Sequence, residues 1–552
     1  MAKIIHKRTK KNAAIVKQEL ENTTVHISDG QSPPAAMPAS EALTLATQRL
    51  AEMDDSGALL IADQLLPQFG HIIDIHLIKL RALVNMERLV DASAFADNAL
   101  KAAPTNQGVL LHTARLKIVL GDDQEALRLL KKANELNPNR PIILTQMARC
   151  FSHTGHKDDA LQCHKKVLKI YAKRGERGDL GDLSKEAAAL KGIDAFLGVG
   201  QLDSWSDENI QIAEQLIMRD QIPKRTRSRI ALGLSVDASR QKDLEREIGL
   251  LHIGNQLMRE DLAEKKAAWS HDISRERLER NKEIFNKAQP DWLDGYTSDR
   301  QEAPICILAM PRSGTTLQEQ MLGSHSQIGQ TGESKGIPTA IQRAYADSGV
   351  IVKEYPASAD KIKREALDKA AEYYISHQRL LTDKQYFVDK QLSIYVYVGL
   401  IAQLFPNAKF IHMSRNPLDI FLSCYRGGIP GSPATCSIEH MAYEFMHMKK
   451  LIAHWKAVFP DRVHIVNYQE LVEDPETIMR ETIDFLGLEW EDDVLQFHKR
   501  KNVVRTLSLH QVRKGIYNTS VRKWLPYKSM MQPAIEVLLE HGFLEEADIV
   551  DD

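Results

Sequence analysis

The chain is short of long apolar runs: nowhere in its 552 residues is there a stretch near the ~20 consecutive apolar positions a bilayer-spanning helix needs, so no membrane span is expected. Its basic start, Met1 to Lys11, has no apolar core behind it and does not read as a secretory signal peptide. Charge of one sign is also missing. Lys and Arg number 72 against 74 Asp and Glu, a net charge of −2, so no global field draws nucleic acid or an anionic membrane surface. Any attraction for an anion has to be local. Cysteine is scarce, with five residues at 150, 163, 306, 424 and 436 and no paired framework; a disulfide scaffold is excluded, and a reducing, cytoplasmic setting is expected. No Cys/His or carboxylate cluster has ligand spacing, so no metal is expected. What remains is an ordinary soluble composition, 43% apolar and 26% charged, long enough for two or three domains.

Residues 304–322 are the most informative segment. Ile305, Ile307, Leu308, Ala309 and Met310 form a short apolar run that suits a buried strand, and Pro311 ends it. Arg312, Ser313, Gly314, Thr315 and Thr316 make a tight polar turn, after which Leu317, Met321 and Leu322 recur at helical spacing. Such a turn aims backbone N–H groups and hydroxyls at one spot with the positive helix end behind them, and Arg312 adds a planar fork of donors. The segment is built to hold a phosphate or a sulfate. It is not a nucleoside triphosphatase loop, because no Lys follows Gly314.

A second strand, turn and helix follow the same plan. Ala408 to Met413 reads as a buried strand, Ser414-Arg415-Asn416 as a turn, and Pro417 as a first helical residue. Arg415 stands at the mouth of this unit and Ser423 eight residues along, a guanidinium and a hydroxyl able to hold a second phosphate.

The pattern Pro-Arg-Ser-Gly-Thr-Thr-Leu at 311–317 resembles the 5′-phosphosulfate loop of sulfotransferases that use 3′-phosphoadenosine 5′-phosphosulfate, and most of all their tyrosylprotein branch. The resemblance covers roughly residues 300–530. It implies that Arg312, Ser313, Gly314, Thr315, Thr316 and Leu317 hold the 5′ end of the donor and that Arg415 and Ser423 bind its 3′-phosphate. It also implies that Lys390, in Phe387-Val388-Asp389-Lys390, contacts the transferring sulfonyl group. Residues 466–475 match a strand and loop with a scaffolding role, and Ser508 and Lys523 match donor contacts in a segment that closes over the cofactor. Sulfuryl transfer, like phosphoryl transfer, is an in-line attack with charge spreading over equatorial oxygens, which Arg312 and Lys390 would stabilise.

The acceptor hydroxyl needs a base. Glu333, 21 residues after Arg312, has the offset of the tyrosylprotein general base, although this chain reads Gly-Glu-Ser where that branch tends to have Gly-Glu-Glu. His325 is the alternative proton acceptor, with a structural role at the helix end as its competing reading. The animal tyrosylprotein enzymes are anchored in the secretory pathway, and no equivalent anchor is expected here.

Ahead of this half, residues 1–40 read as a flexible polar tail and 41–290 as a helical, largely strand-free domain. A 34-residue period runs through it: Pro104 and Pro138, Gly121 and Gly155, Ala92, Ala126 and Ala160, then Ala99, Ala133 and Val167. Small residues at helix crossings with that period resemble tetratricopeptide repeats. Stacked repeats leave a concave groove, the expected seat of a peptide or protein acceptor; a dimerisation or packing scaffold is the competing reading. The expected fold is therefore multidomain. An N-terminal α-solenoid precedes a three-layer α/β sulfotransferase domain at 300–552, similar to P-loop nucleoside triphosphatases, with a mostly parallel sheet near 305–310, 386–389, 408–413 and 463–467. The expected activity is sulfuryl transfer from 3′-phosphoadenosine 5′-phosphosulfate to a protein or peptide tyrosine. The alternatives are a saccharide or small-molecule hydroxyl as acceptor, or an inactive interaction protein in which the repeats do the work.

Overall fold

The structure is a computed structural model, and it describes residues 16–28, 34–86, 88–176, 191–351, 355–391, 393–429, 431–497 and 521–549. Two compact units divide between Cys150 and Phe151.

Near its start the first unit has a two-stranded antiparallel hairpin, β1 (Thr24–Ile27) on β2 (Ala35–Pro38). Ile27 is buried there, within the stretch 1–40 expected to be a tail. Helices follow in succession: α1 (Ala39–Ala51), α2 (Asp55–Phe69), α3 (Ile73–Asn85), α4 (Leu89–Ala102), α5 (Gln107–Leu120), α6 (Asp123–Leu136) and α7 (Pro141–Thr154). The 34-residue period is the period of the helix pairs. α3, α5 and α7 begin at 73, 107 and 141, and α4, α6 and the next helix α8 (Lys157–Glu176) at 89, 123 and 157. Ala92 and Ala126 are fully buried, as small residues at close helix crossings should be. Gly121, at φ 89°, ends α5 in the left-handed conformation that glycine adopts without steric cost.

In the second unit, α8 is followed by α9 (Ile193–Leu202), α10 (Asp207–Ile217), α11 (Lys224–Gln241), α12 (Leu244–Glu264) and α13 (His271–Ile284). A five-stranded sheet then forms from β3 (Ala303–Leu308), β4 (Ile328–Gly332), β5 (Tyr386–Asp389), β6 (Lys409–Ser414) and β7 (Val463–Asn467). Its order is β4-β5-β3-β6-β7 and every pairing is parallel. Alternate residues of the central strand face opposite ways. Cys306 and Leu308 join a core with α15 (Gly336–Asp347), α16 (Arg364–Arg379), α17 (Val398–Leu404), α18 (Pro417–Gly427), α19 (Ile438–Val458) and α22 (Lys528–Glu540). Ile305 and Ile307 join a second core with α14 (Thr315–Leu322), α20 (Tyr468–Glu473) and α21 (Pro475–Leu486). These two cores make the three layers, and a sheet buried on both faces accounts for the near-continuous apolar run of β3.

The boundary expected near 290–300 is not where compactness ends. Leu251, Leu278 and Phe285 belong to the same core as the sheet's Cys306 and Phe387. α11, α12 and α13 therefore bury apolar surface on the α/β layer, while α9 and α10 pack in a separate core with α11, and all five share its unit. Phe285 is fully buried against Trp455, and so close to α17 that a Cβ added at Gly399 would lie 2.4 Å from its ring. Among the described residues no helix is long and apolar enough to cross a membrane.

If this packing is integral, Phe285→Ala should cost about 3–5 kcal/mol of stability, the usual cost of emptying a filled aromatic slot. Chemical denaturation followed by tryptophan fluorescence checks it; an unchanged midpoint would show that α13 merely rests on the domain.

Candidate active site

Strand order decides what meets at the carboxyl end of the sheet. Glu333 follows β4, Lys390 follows β5, Arg312 lies in the turn after β3, Arg415 follows β6 and Tyr468 follows β7. Residues far apart in sequence thus stand in one row, at the end of an open parallel sheet where ligands bind, and the order of strand addition switches sides at β3.

The turn after β3 is held in an unusual backbone shape. Arg312 has φ 71° and Gly314 φ 93°, and a Cβ on Gly314 would sit 2.3 Å from Cδ2 of Tyr468. Only glycine fits, because of both the dihedral and the ring above it. The hydroxyl of Ser313 is buried and has no hydrogen-bond partner among the described residues. One turn on, the amide of the fully buried Gln318 is also unpartnered. Unsatisfied buried polar groups are costly, and a cluster of them at a helix start fits an anion that would accept their hydrogen bonds. Thr315 is half-buried, Thr316 buried, and Leu317 packs down into the core beneath.

The second anion unit stands against the first. Arg312 Nε donates to Ser423 Oγ at 2.8 Å, and Arg415 Nη1 donates to the carbonyl oxygen of Arg312 at 2.8 Å. The Arg415 guanidinium also stacks on Tyr468, 4.5 Å from its ring centroid. Tyr468 thus packs against both pockets, whereas the sequence reading had given residues 466–475 scaffolding alone. Arg415 and Ser423 reach the same place because Asn416 caps α18, accepting from the N–H groups of Leu418 and Asp419. Asp419, one turn along the helix, is buried and accepts from the backbone N–H groups of Arg522 (2.9 Å) and Trp524 (3.2 Å). Those bonds pin the segment carrying Lys523 beside the site. Burial lowers the Lys523 ammonium below its ordinary range, and nearby Arg426 and Arg415 push the same way against Asp419. A site crowded with cations to this degree calls for an anion. Ser508 lies outside the described residues.

On the other side of the row, Lys390 is 3% exposed, with Nζ 3.0 Å from Glu333 Oε1 and 3.5 Å from Glu319 Oε2. Burial works against its charge, but the two carboxylates outweigh it and hold the ammonium above its ordinary value. Glu319 is 4% exposed; burial raises its carboxyl, opposed by Lys390 and by the N–H of Gly332, which donates to Glu319 Oε1 at 2.9 Å. Glu319 escaped the sequence reading because Gln318-Glu319-Gln320 looks like a solvated helix face. Glu333 differs in being 42% exposed at its side chain, so it alone of the two faces incoming molecules. The structure places His325 away from this chemistry. Its Nε2 pairs with the Glu489 carbonyl at 2.9 Å, and its Nδ1 accepts from the N–H of Gln327 at 3.1 Å, which leaves it a structural residue. Among the described residues, no group of three or more His, Cys, Asp or Glu is placed to hold a metal ion.

Comparison with known proteins agrees on the class. Residues 304–492 match the family model described as "Sulfotransferase family". An uncharacterized protein of Aquifex aeolicus is 32% identical over 439 residues, 77% of this chain and 54% of its own length. Protein-tyrosine sulfotransferase 2 of Gallus gallus is 26% identical over 42% of this chain and 65% of its own, and the Drosophila melanogaster protein-tyrosine sulfotransferase is 28% identical over 40% and 45%. The chain thus spans between 45% and 65% of the length of these curated relatives. Among solved structures, the sulfotransferase domain of the Synechococcus PCC 7002 olefin synthase is 22% identical with a TM-score of 0.32, covering 45% of this chain and 98% of that one. Residues 304–492 thus resemble the sulfotransferase family, and the chain's distant relatives include proteins named protein-tyrosine sulfotransferase.

Because Glu319 and Glu333 together hold up the Lys390 ammonium, Glu319→Gln leaves burial opposed by one carboxylate and lowers it. The alkaline limb of the pH–rate profile for sulfuryl transfer should then move to lower pH. A limb that stays in place would mean that Lys390 is not the group titrating there.

Proposed function

We propose that this domain transfers a sulfuryl group from 3′-phosphoadenosine 5′-phosphosulfate to a tyrosine hydroxyl of a protein or peptide. The observation that carries the reading is the pair of Glu333 and Lys390, 3.0 Å apart, in the same row of strand ends as the joined Arg312, Arg415 and Ser423. A proton acceptor and a buried cation stand together on one side of an anion site with two arginines on the other. The donor, when bound, supplies the activated sulfuryl group.

Each residue then has a definable task. The turn at 312–317 receives the 5′ end through backbone N–H groups and the Ser313 hydroxyl, while Arg415, Ser423 and Lys523 receive the 3′-phosphate. Arg312 and Lys390 face the charge that grows on the transferring and leaving oxygens. Glu333, exposed toward the approach side, takes the proton of the acceptor hydroxyl as attack proceeds. Glu319 keeps Lys390 charged and oriented. The names of the Gallus and Drosophila relatives support tyrosine as the acceptor, and Glu333, at the position of the general base in that branch, supports a phenolic hydroxyl.

Incubation with labelled donor and a panel of acidic tyrosine peptides, glycans and simple phenols tests the acceptor. Transfer to peptides is expected; transfer to glycans alone would replace this reading with the saccharide one. Arg312→Ala should lower turnover by roughly 10²–10³ and weaken donor binding, as loss of a preorganised donor does. Glu333→Gln should lower turnover by roughly 10²–10⁴ with donor affinity intact, since the acceptor is its target. A collapse of donor affinity in Glu333→Gln, measured by calorimetry, would make Glu333 structural instead.

A further inference from the structure

The first unit repeats a cation at fixed places. Arg81, Arg115 and Arg149 are 34 residues apart, and each is the ninth residue of its helix, α3, α5 and α7. Equivalent positions on equivalent helices of a repeat stack share one face, so the three guanidinium groups form a column. They act on one another: burial lowers the Arg115 guanidinium, Arg81 and Arg149 lower it further, and Asp55 alone opposes. Arg115 donates to Asn85 Oδ1 at 3.0 Å, and Asn85 in turn donates to Asp55 Oδ1 at 2.8 Å. Among the described residues, no hydrogen bond or ion pair engages Arg81 or Arg149.

One turn before the arginines, the same period brings His112 and Gln146 to matching places on α5 and α7. His112 Nδ1 and Gln146 Oε1 are both out of solvent and without hydrogen-bond partners among the described residues. Burial, with Arg115 and Arg81 beside it, lowers the His112 imidazole to about 4, so it is neutral near pH 7 and adds no charge of its own. A polypeptide backbone offers both the donors and the acceptors that such atoms lack.

We infer that the column of Arg81, Arg115 and Arg149 docks an acidic segment of the polypeptide acceptor, with His112 and Gln146 bonding to its backbone. Like charges crowded on one face cost stability until a partner of opposite charge arrives, and arginine is suited to planar carboxylate recognition. With a whole-chain charge of −2, the attraction at this face is local, which suits a short acidic stretch rather than a long polyanion. The inference rests on the proposed reading only in calling the bound polypeptide the sulfate acceptor.

The test uses the full chain and a fluorescein-labelled peptide of Glu, Asp and Gly with one central Tyr, followed by anisotropy at low and high salt. Replacing all three arginines together, Arg81→Gln, Arg115→Gln and Arg149→Gln, should weaken binding by about tenfold or more, as expected when three partly desolvated charge pairs are lost. The matching set of Arg→Lys replacements should keep most of the affinity, which separates charge from misfolding. Equal binding by the Gln set, or equal binding of a peptide with Gln and Asn in place of its acids, overturns the inference. A peptide that binds through the arginines but is never sulfated upholds the docking and removes the acceptor reading; sulfation that ignores the arginines does the opposite.

Discussion

A lysine kept charged while out of water is the interaction on which the site depends. Lys390 is buried, and an ammonium in that position is costly unless carboxylates surround it. Glu319 supplies one from α14 and Glu333 another from the end of β4, so three neighbouring elements are tied at one nitrogen. The two carboxylates are not equivalent. Glu319 is enclosed and also accepts the N–H of Gly332, which fixes the backbone from which Glu333 projects. Glu333 is open to the approach side. Both carboxylates hold the cation, and of the two only Glu333 is also open to solvent.

The strand order turns this local arrangement into a site. With β3 in the middle, β5 on one side and β6 on the other, the Lys390 group and the Arg415 group flank the turn at 312–317. That turn is bonded on one side to Ser423 and Arg415 and roofed by Tyr468, whose ring excludes any side chain at residue 314. α12 extends the support. Glu247 accepts from Arg426 Nε at 2.7 Å and from the Tyr527 hydroxyl at 2.7 Å, and Asn255 donates to the Tyr425 carbonyl at 2.9 Å. These bonds fasten the helix that bears Ser423, and the segment after Lys523, to the preceding helical layer. A helix read from sequence as part of the repeat domain, α12, therefore also supports the α/β layer.

The two strand–turn–helix units were legible because each is a local pattern: an apolar strand, a turn with its own chemistry and a helix start. Arg312, Arg415 and Ser423 were singled out that way and Lys390 by the family resemblance, and β3, β5, β6 and β7 lie within a residue or two of where their apolar runs put them. β4 was missed, since Ile-Gly-Gln-Thr-Gly has neither alternation nor an apolar run. Glu319, Asp419 and Tyr468 were missed as site residues for a different reason. Their importance comes from partners more than ten residues away, and no spacing in the chain announces a buried carboxylate that will meet a lysine from another strand. The unit boundary at 150 rather than near 290 has the same origin: helical periodicity shows that an apolar face exists, and not what covers it.

The central claim is that both anion pockets belong to one molecule with phosphate groups at two ends. Calorimetric titration with 3′-phosphoadenosine 5′-phosphate and with adenosine 5′-monophosphate tests it most directly. The account predicts one site per chain, with the 3′-phosphate worth about 10- to 100-fold in affinity, the contribution of a charge-assisted set of hydrogen bonds. Equal affinity for the two nucleotides would contradict it.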